Sequence, residues 1–107
     1  MDDCVVMSTK NIINQTEEFS KWLKGLKDSQ AKAKILVRIG RAKQGNFGNH
    51  KSVSNGIFEM KIDYGPGYRV YYAQQGKIIY LLLSGGTKAS QQDDIKYANL
   101  IWSEIKG

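Results

Sequence analysis

The chain has 107 residues, of which 41% are hydrophobic and 24% charged, and its formal net charge is +6. This length predicts a single domain over residues 1–107, and no apolar run reaches the roughly 18 residues of a membrane span. One cysteine and one histidine exclude an internal disulfide, a zinc site of sulfur and imidazole, and both paired-histidine and cysteine–histidine catalysis. The acidic N-terminus, with its short apolar run, predicts no secretory signal, and the cytoplasm is the expected compartment.

The positive charge points to polyanionic partners. A compact basic domain attracts phosphate, and this salt-sensitive attraction supplies most of the non-specific affinity for nucleic acid. A generic basic surface, or one that pairs with an acidic protein, is the alternative at this level.

The N-terminal third of the chain predicts an edge strand and then two helices. Residues 4–7 are apolar and short, as expected of the strand. Asn14, with Glu17 three residues on, is typical of an N-cap, and Asp28 followed by Ser29 is typical of a second one. Four residues form the apolar stripe of the first helix: Phe19, Trp22, Leu23 and Leu26.

The second predicted helix is amphipathic and ends near Gly45. Gly40 inside its pattern weakens the prediction of an unbroken helix. Its expected inward residues are Ala31, Ile35, Leu36 and Ile39. Its expected outward residues are Lys32, Lys34, Arg38 and Arg41.

After Gly48 the apolar period changes from 3.6 to 2, which predicts strands. Residues 58–63 alternate, 64–67 turn the chain, and 68–73 and 78–83 form a hairpin. The last strand is apolar on both faces and is therefore expected to be central. A capping box at 90–93 then begins a C-terminal helix. The predicted fold class is α+β: two N-terminal helices on a small, twisted antiparallel sheet, with a C-terminal helix, the helices covering one face.

Two neighbouring strands are expected to deliver one cation each. Arg69 lies within the first strand and Lys88 just beyond the second, and strands lie close to 5 Å apart, so both side chains can reach one phosphate. Lys61 and Glu59 lie within hairpin distance of Arg69. Glu59 is either a general base or the ion-pair partner of a neighbouring cation such as Lys61.

The remaining candidates are contacts for RNA. Tyr71 shares the face of Arg69, where it either stacks a base or packs across strands. His50 is expected at the surface and Lys51 at a phosphate, in the polar loop 45–51. Arg38 and Arg41 add charge from the outer face of the second helix. Glycine spacing matches neither a P-loop nor a dinucleotide fingerprint.

These motifs together closely resemble the HigB-like addiction module killer proteins, a branch of the RelE/ParE toxin superfamily. The resemblance extends from about Phe19 to Trp102. Its most specific motifs are Gly65-Pro-Gly-Tyr-Arg69 and Gly85-Gly-Thr-Lys88. It implies an α/β sandwich and a toxin of a type II toxin–antitoxin pair, which cleaves messenger RNA on the ribosome. A small helix-turn-helix antitoxin would neutralise it.

The resemblance also implies roles for individual residues. Arg69 matches the arginine that contacts the scissile phosphate, Lys88 a basic residue after the last strand, and Lys61 a sheet lysine. Glu59 matches a glutamate of this branch. The terminal tyrosine or histidine of RelE-type toxins has no counterpart here, where Asp93 and Asp94 lie in that region.

The implied reaction needs no metal and no cofactor, because the 2′-hydroxyl of the RNA is the nucleophile. Arg69 would stabilise the phosphorane, Lys61 or Glu59 would take a proton, and Lys88 would give one. Three alternatives stay open: a ParE-like poison of DNA gyrase, a non-catalytic nucleic-acid-binding module, and an inactive protein that binds only an acidic antitoxin.

Overall fold

The computed structural model describes residues 10–107. The strand predicted at residues 4–7 lies outside them. The elements in chain order are β1 (Ile12–Gln15), α1 (Glu17–Gly25), α2 (Ser29–Lys43), β2 (His50–Ser54), β3 (Ile57–Ile62), β4 (Tyr68–Gln74), β5 (Ile79–Thr87), a 3₁₀ turn (Lys88–Ser90) and α3 (Gln91–Lys106). No helix among residues 10–107 is both long and apolar enough to cross a bilayer.

The strands form one five-stranded mixed sheet in the order β1-β5-β4-β3-β2. β2 to β5 pair antiparallel, which was predicted for β3, β4 and β5. β2 was not predicted, because His50 and Lys51 were assigned to the polar loop 45–51. β1 runs parallel to β5, from Ile12 opposite Ile79 to Gln15 opposite Leu82. The prediction of a purely antiparallel sheet is therefore wrong. β5 is a central strand, as expected, and it pairs with β1 on one side and with β4 on the other.

The sheet lies between its helices. α1 and α2 pack on one face, against Val70 and Tyr72, while α3 packs on the other, against Tyr71 and Ala73. The α+β class is confirmed, but the prediction that the helices cover one face is wrong. The physical reason is that β4 is apolar on both faces, and both must be shielded from water.

The first helix begins two residues later than predicted. Thr16, not Asn14, is its N-cap: the Thr16 hydroxyl accepts a hydrogen bond from the Phe19 amide at 3.0 Å. The same hydroxyl donates to the Leu83 carbonyl at 2.7 Å, which joins the start of α1 to β5. Asn14 is unavailable as a cap because it lies in β1. Asp28 caps α2 as predicted.

α2 runs unbroken through Gly40 and ends before Gly45, whose φ of 95° stops the helix. Ala31, Ile35 and Ile39 are buried as expected. The inward placement of Leu36 is wrong, since 53% of Leu36 is exposed. Successive helical residues are separated by about 100°, so Leu36 lies away from the stripe that Ile35 starts.

The start of α3 also differs from the prediction. β5 continues to Thr87, and Gly85 and Gly86 therefore belong to a strand rather than to a turn. The capping box predicted at 90–93 is wrong; it joins Thr87 and Ser90 and precedes the 3₁₀ turn. This extra turn carries the chain from the end of β5 to the face that α3 covers.

Candidate nucleic-acid interface

A pocket of about 160 Å³ opens over β2, β3 and β4 on the sheet face that α3 partly covers. Its lining contains five of the residues predicted from the sequence and one that was not, Asn49. The predicted five are His50, Lys51, Glu59, Lys61 and Arg69. Three cations and a carboxylate thus surround a space of the size that a phosphate group needs.

Strand register brings these side chains together. Lys51 lies opposite Glu59 across β2 and β3, and Lys61 lies opposite Arg69 across β3 and β4. Alternate residues of a strand share a face, so Glu59 and Lys61 point to the same side of the sheet. Two adjacent cross-strand pairs therefore supply all four charges.

Arg69 and Glu59 form a buried ion pair at the base of the pocket. Arg69 Nε lies 3.5 Å from Glu59 Oε1, and the two side chains are 7% and 2% exposed. Arg69 Nη1 donates to the Gly67 carbonyl at 2.9 Å. The ion-pair interpretation of Glu59 is thus confirmed, with Arg69 rather than Lys61 as the partner.

Glu59 is fixed from above by α3. Gln91 Nε2 donates to Glu59 Oε1 at 2.7 Å, so the helix start and Arg69 both reach the same oxygen. Among residues 10–107, no side chain donates a hydrogen bond to Glu59 Oε2. No functional role was predicted for Gln91; its position at the start of the helix that follows β5 was the available signal.

Lys88 lies beside Arg69 without lining the pocket. Its backbone amide donates to the Gly67 carbonyl at 2.9 Å, the same oxygen that Arg69 contacts. Gly67 has a φ of 82°, and a Cβ there would lie 3.2 Å from Arg69 Nη1 and 3.5 Å from Lys88 Cβ. The Lys88 side chain is exposed, so it borders the arginine from the β5 side.

Three buried polar atoms without a hydrogen bond lie in or next to this ion pair. In the part of the chain that the structure describes, the buried side-chain atoms that lack a hydrogen bond are Arg69 Nε, Tyr71 Oη and Ser84 Oγ. Tyr71 and Ser84 are opposite each other on β4 and β5. Leaving such a group unpaired costs about 1–3 kcal/mol, and clusters of them mark places where water or a ligand binds.

Tyr71 itself is fully buried, so the prediction that it stacks a base is wrong and the cross-strand packing alternative holds. Burial raises the pKa of its hydroxyl, and the carboxylates of Glu59 and Asp94 raise it further. Asp94 reaches this cluster because Gly86 has no side chain: a Cβ at Gly86 would overlap the Asp94 carboxylate. Ser90 Oγ donates to that carboxylate.

Arg38 and Arg41 are not part of the pocket. Arg38 Nη1 donates to the Lys61 carbonyl at 2.6 Å and Nη2 to the Phe47 carbonyl at 3.0 Å, which fixes the loop before β2. Burial and the neighbouring charge of Arg41 lower the pKa of Arg38. Both arginines lie on α2, across the sheet, beside a larger pocket of about 330 Å³.

Metal-ligating side chains do not cluster within residues 10–107: no three of His, Cys, Asp or Glu come close enough to hold an ion. The chemistry of the pocket is that of cations, one carboxylate and amide groups. This set suits the recognition of an anion with two or more oxygens.

No protein-family model matches this chain. An uncharacterized protein of Haemophilus influenzae is 50% identical to it over 93 residues, which are 87% of this chain and 94% of that protein. The chain belongs to the same family as this Haemophilus protein. Identity at this level over nearly the full length of both chains implies a shared fold.

Proposed function

We propose that this chain is an endoribonuclease, the toxin of a type II toxin–antitoxin pair, which cleaves messenger RNA on the ribosome in the cytoplasm. The observation that carries the proposal is the placement of Arg69, Lys61 and Lys51 around a single pocket with Glu59. A phosphodiester bound there would meet positive charge from three strands. The resemblance of the Gly-Pro-Gly-Tyr-Arg and Gly-Gly-Thr-Lys motifs to HigB-like toxins supports the same class.

In the proposed reaction the 2′-oxygen of the RNA attacks the adjacent phosphorus, and the bond to the 5′-oxygen breaks. The products are a 2′,3′-cyclic phosphate and a free 5′-hydroxyl. The protein has to accept the 2′-proton, stabilise the negative phosphorane and return a proton to the leaving oxygen. Arg69 supplies the charge, because its planar guanidinium matches two phosphoryl oxygens at once.

Glu59 is the proposed base. Gln91 and Arg69 hold its Oε1, so the orientation of the carboxylate is fixed before substrate binds. Pre-orientation of this kind saves the entropy that a mobile base would lose on binding. Lys61 and Lys88 are the candidates for protonating the leaving oxygen, Lys61 from inside the pocket and Lys88 from beside Arg69.

A non-catalytic RNA-binding domain is the second candidate, and one observation favours it. Arg69 is only 6% exposed, and Glu59 already neutralises its charge. In that case Lys51 and Lys61 contact phosphate at the surface, and the buried pair only supports the sheet.

The experiment compares the intact chain with three variants in ribosome-dependent cleavage of messenger RNA. We expect Arg69→Lys to lose most cleavage, because lysine keeps the charge without the planar fork. Glu59→Gln keeps the hydrogen bond from Gln91 but removes the base, and we expect it to lose cleavage while still binding RNA. Arg41→Lys is the matched control, since Arg41 lies across the sheet. Full activity in Arg69→Lys and Glu59→Gln would remove both residues from the mechanism, and RNA binding without cleavage by the intact chain would leave the non-catalytic candidate.

A further inference from the structure

α2 carries a second apolar stripe on its outer side. Ala33, Leu36, Val37 and Gly40 follow the spacing i, i+3, i+4, i+7 and all are exposed, with Leu36 at 53% and Val37 at 52%. The inner stripe of the same helix is buried against the sheet. Within residues 10–107, nothing covers the outer stripe.

The flanks of this stripe are strongly basic. Five lysines and arginines and no acidic residue lie on the 15-residue helix. Three of these cations, Lys34, Arg38 and Arg41, line the 330 Å³ pocket together with Ala33 and Val37. The pocket continues beyond the helix to Ile62, Asp63 and Tyr64. The outer stripe with Lys34 and Arg41 is called the α2 surface below.

We propose that the α2 surface docks an acidic amphipathic helix of a partner protein. The apolar side of such a helix would lie along Leu36 and Val37, and its carboxylates would meet Lys34 and Arg41. A Cβ at Gly40 would have no atom within 4 Å, so a second backbone can approach α2 closely there. The inference does not depend on the proposed nuclease function.

Charge complementarity and shape favour a protein helix over RNA. The centre of the α2 surface is aliphatic, whereas single-stranded RNA is held by exposed aromatic rings. The one ring at its border, Tyr64, lies under Lys34 Nζ at 5.1 Å, and its hydroxyl contacts Asp28 and Gln30. That ring is therefore already engaged.

The α2 surface also differs from a membrane-binding helix. Such helices insert a broad face of Trp, Phe and Leu into the lipid. The outer stripe offers only two large apolar side chains, Leu36 and Val37, between two small residues. A narrow stripe of this kind matches the seam of one packed helix.

The test uses the intact chain and a synthetic acidic peptide of about 20 residues, built from Glu, Ala and Leu with leucines at i, i+3, i+4 and i+7. Binding is followed by two-dimensional amide NMR and by calorimetry. We expect chemical-shift changes at Ala33, Leu36, Val37, Gly40 and Arg41, and Leu36→Glu and Arg41→Glu each to weaken binding about tenfold.

Leu100→Glu is the matched control, because Leu100 is 57% exposed on α3 and receives the same substitution. It should bind the peptide as the parent does, and thermal unfolding verifies that all variants fold. The proposal is overturned by shifts at Lys51, Lys61 and Arg69 instead, by equal weakening in Leu100→Glu, or by no binding at about 1 mM peptide. Tighter binding of a poly(U) oligonucleotide or of phosphatidylglycerol vesicles to the same residues also overturns it.

A readout of RNA cleavage separates this inference from the proposed function. Leu36→Glu should weaken binding of the peptide but leave ribosome-dependent cleavage unchanged, because Leu36 lies across the sheet from the pocket. If the parent chain binds the peptide on α2 but cleaves no RNA, the docking surface is supported and only the proposed nuclease function is contradicted.

Discussion

Buried polar side chains concentrate at one place in this molecule. Glu59, Arg69 and Ser84 are the buried charged or polar residues of the described chain, and all lie on the sheet face that α3 partly covers. A core designed only for stability would replace them with apolar groups, since a buried ion pair seldom repays its desolvation. Their retention next to an open cationic pocket is the residue-level argument for a binding function.

Tyr71 offers a test of this unpaired cluster. Its hydroxyl is buried without a partner, so Tyr71→Phe should raise the free energy of unfolding by about 1 kcal/mol at pH 7. Urea unfolding of parent and variant measures the difference. A loss of more than about 1 kcal/mol would instead mean that the hydroxyl is well hydrogen-bonded.

The same substitution should change the response to alkali. Because the folded protein holds the pKa of Tyr71 above its ordinary value of about 10, the unfolded chain releases the phenolic proton first. The contribution of the neutral Tyr71 hydroxyl to the free energy of unfolding is therefore complete below about pH 10 and is lost as the pH rises further. Tyr71→Phe should reduce this alkaline loss in unfolding experiments between about pH 8 and 11.5. Identical curves for parent and Tyr71→Phe would contradict the account.

At the level of secondary-structure elements, the two glycines of β5 are required by close packing, whereas the glycine of α2 is not. The ring of Trp22 lies directly against Gly85, and a Cβ there would overlap it. The Asp94 carboxylate lies against Gly86 from the opposite face, even closer than Trp22 lies to Gly85. Gly40, by contrast, faces open space in a regular helix, so its lack of a side chain serves no contact within residues 10–107.

Gly40→Ala and Gly85→Ala should therefore have opposite effects. Alanine at position 40 gains helix propensity, and we expect the free energy of unfolding to rise by about 0.5–1 kcal/mol. Alanine at position 85 displaces Trp22, and we expect a loss of about 1–3 kcal/mol. Denaturant titrations of the two variants measure both. A destabilising Gly40→Ala would indicate that α2 is not regular there.

The elements also mark the limit of what the sequence could predict. Alternation predicted β3, the turn at 64–67 and the following hairpin predicted β4, and the apolar residues on both faces of β5 predicted its central position. β1 was missed because Ile12–Gln15 is short and largely exposed, so its pairing with β5 comes from the sheet and not from its own pattern. Leu36 was misplaced because two apolar stripes on one helix cannot be assigned to core and surface by periodicity alone.

The candidate site was predictable in part for similar reasons. Register follows from alternation, so Lys61 opposite Arg69 could be inferred from the hairpin. Burial could not be inferred in this way. The burial of Tyr71 and the hydrogen bond from Gln91 to Glu59 both depend on the position of α3 on the sheet face. The hydrogen bond from Arg38 to the Lys61 carbonyl could not be predicted either, because it depends on which face α2 covers.

At the scale of the whole molecule, the sheet separates two basic surfaces. One is the pocket of Lys51, Lys61 and Arg69 on the α3 side, and the other is the α2 surface. The net charge of +6 is therefore divided between faces with different chemistry, a charged recess and an apolar stripe with a cationic border. This arrangement would allow RNA and a protein partner to bind at the same time.

Salt dependence should distinguish the two faces. If RNA binds at the pocket, the logarithm of its affinity falls linearly with the logarithm of salt concentration, and Lys51→Ala should reduce the slope by about one phosphate contact. Arg41→Ala should leave the slope unchanged. Fluorescence anisotropy with a labelled single-stranded RNA over a salt series measures both. A slope altered by Arg41→Ala and not by Lys51→Ala would place RNA on α2.

The most direct measurement is primer extension on a messenger RNA incubated with ribosomes and the purified chain, with end analysis of the fragments. We expect discrete cuts bearing 2′,3′-cyclic phosphate ends. Arg69→Lys should greatly weaken these cuts and Arg41→Lys should not, and a single 2′-deoxy nucleotide at the cut site should abolish that cut. Intact message with the parent chain, or cleavage that persists at the 2′-deoxy position, would contradict the proposed reaction.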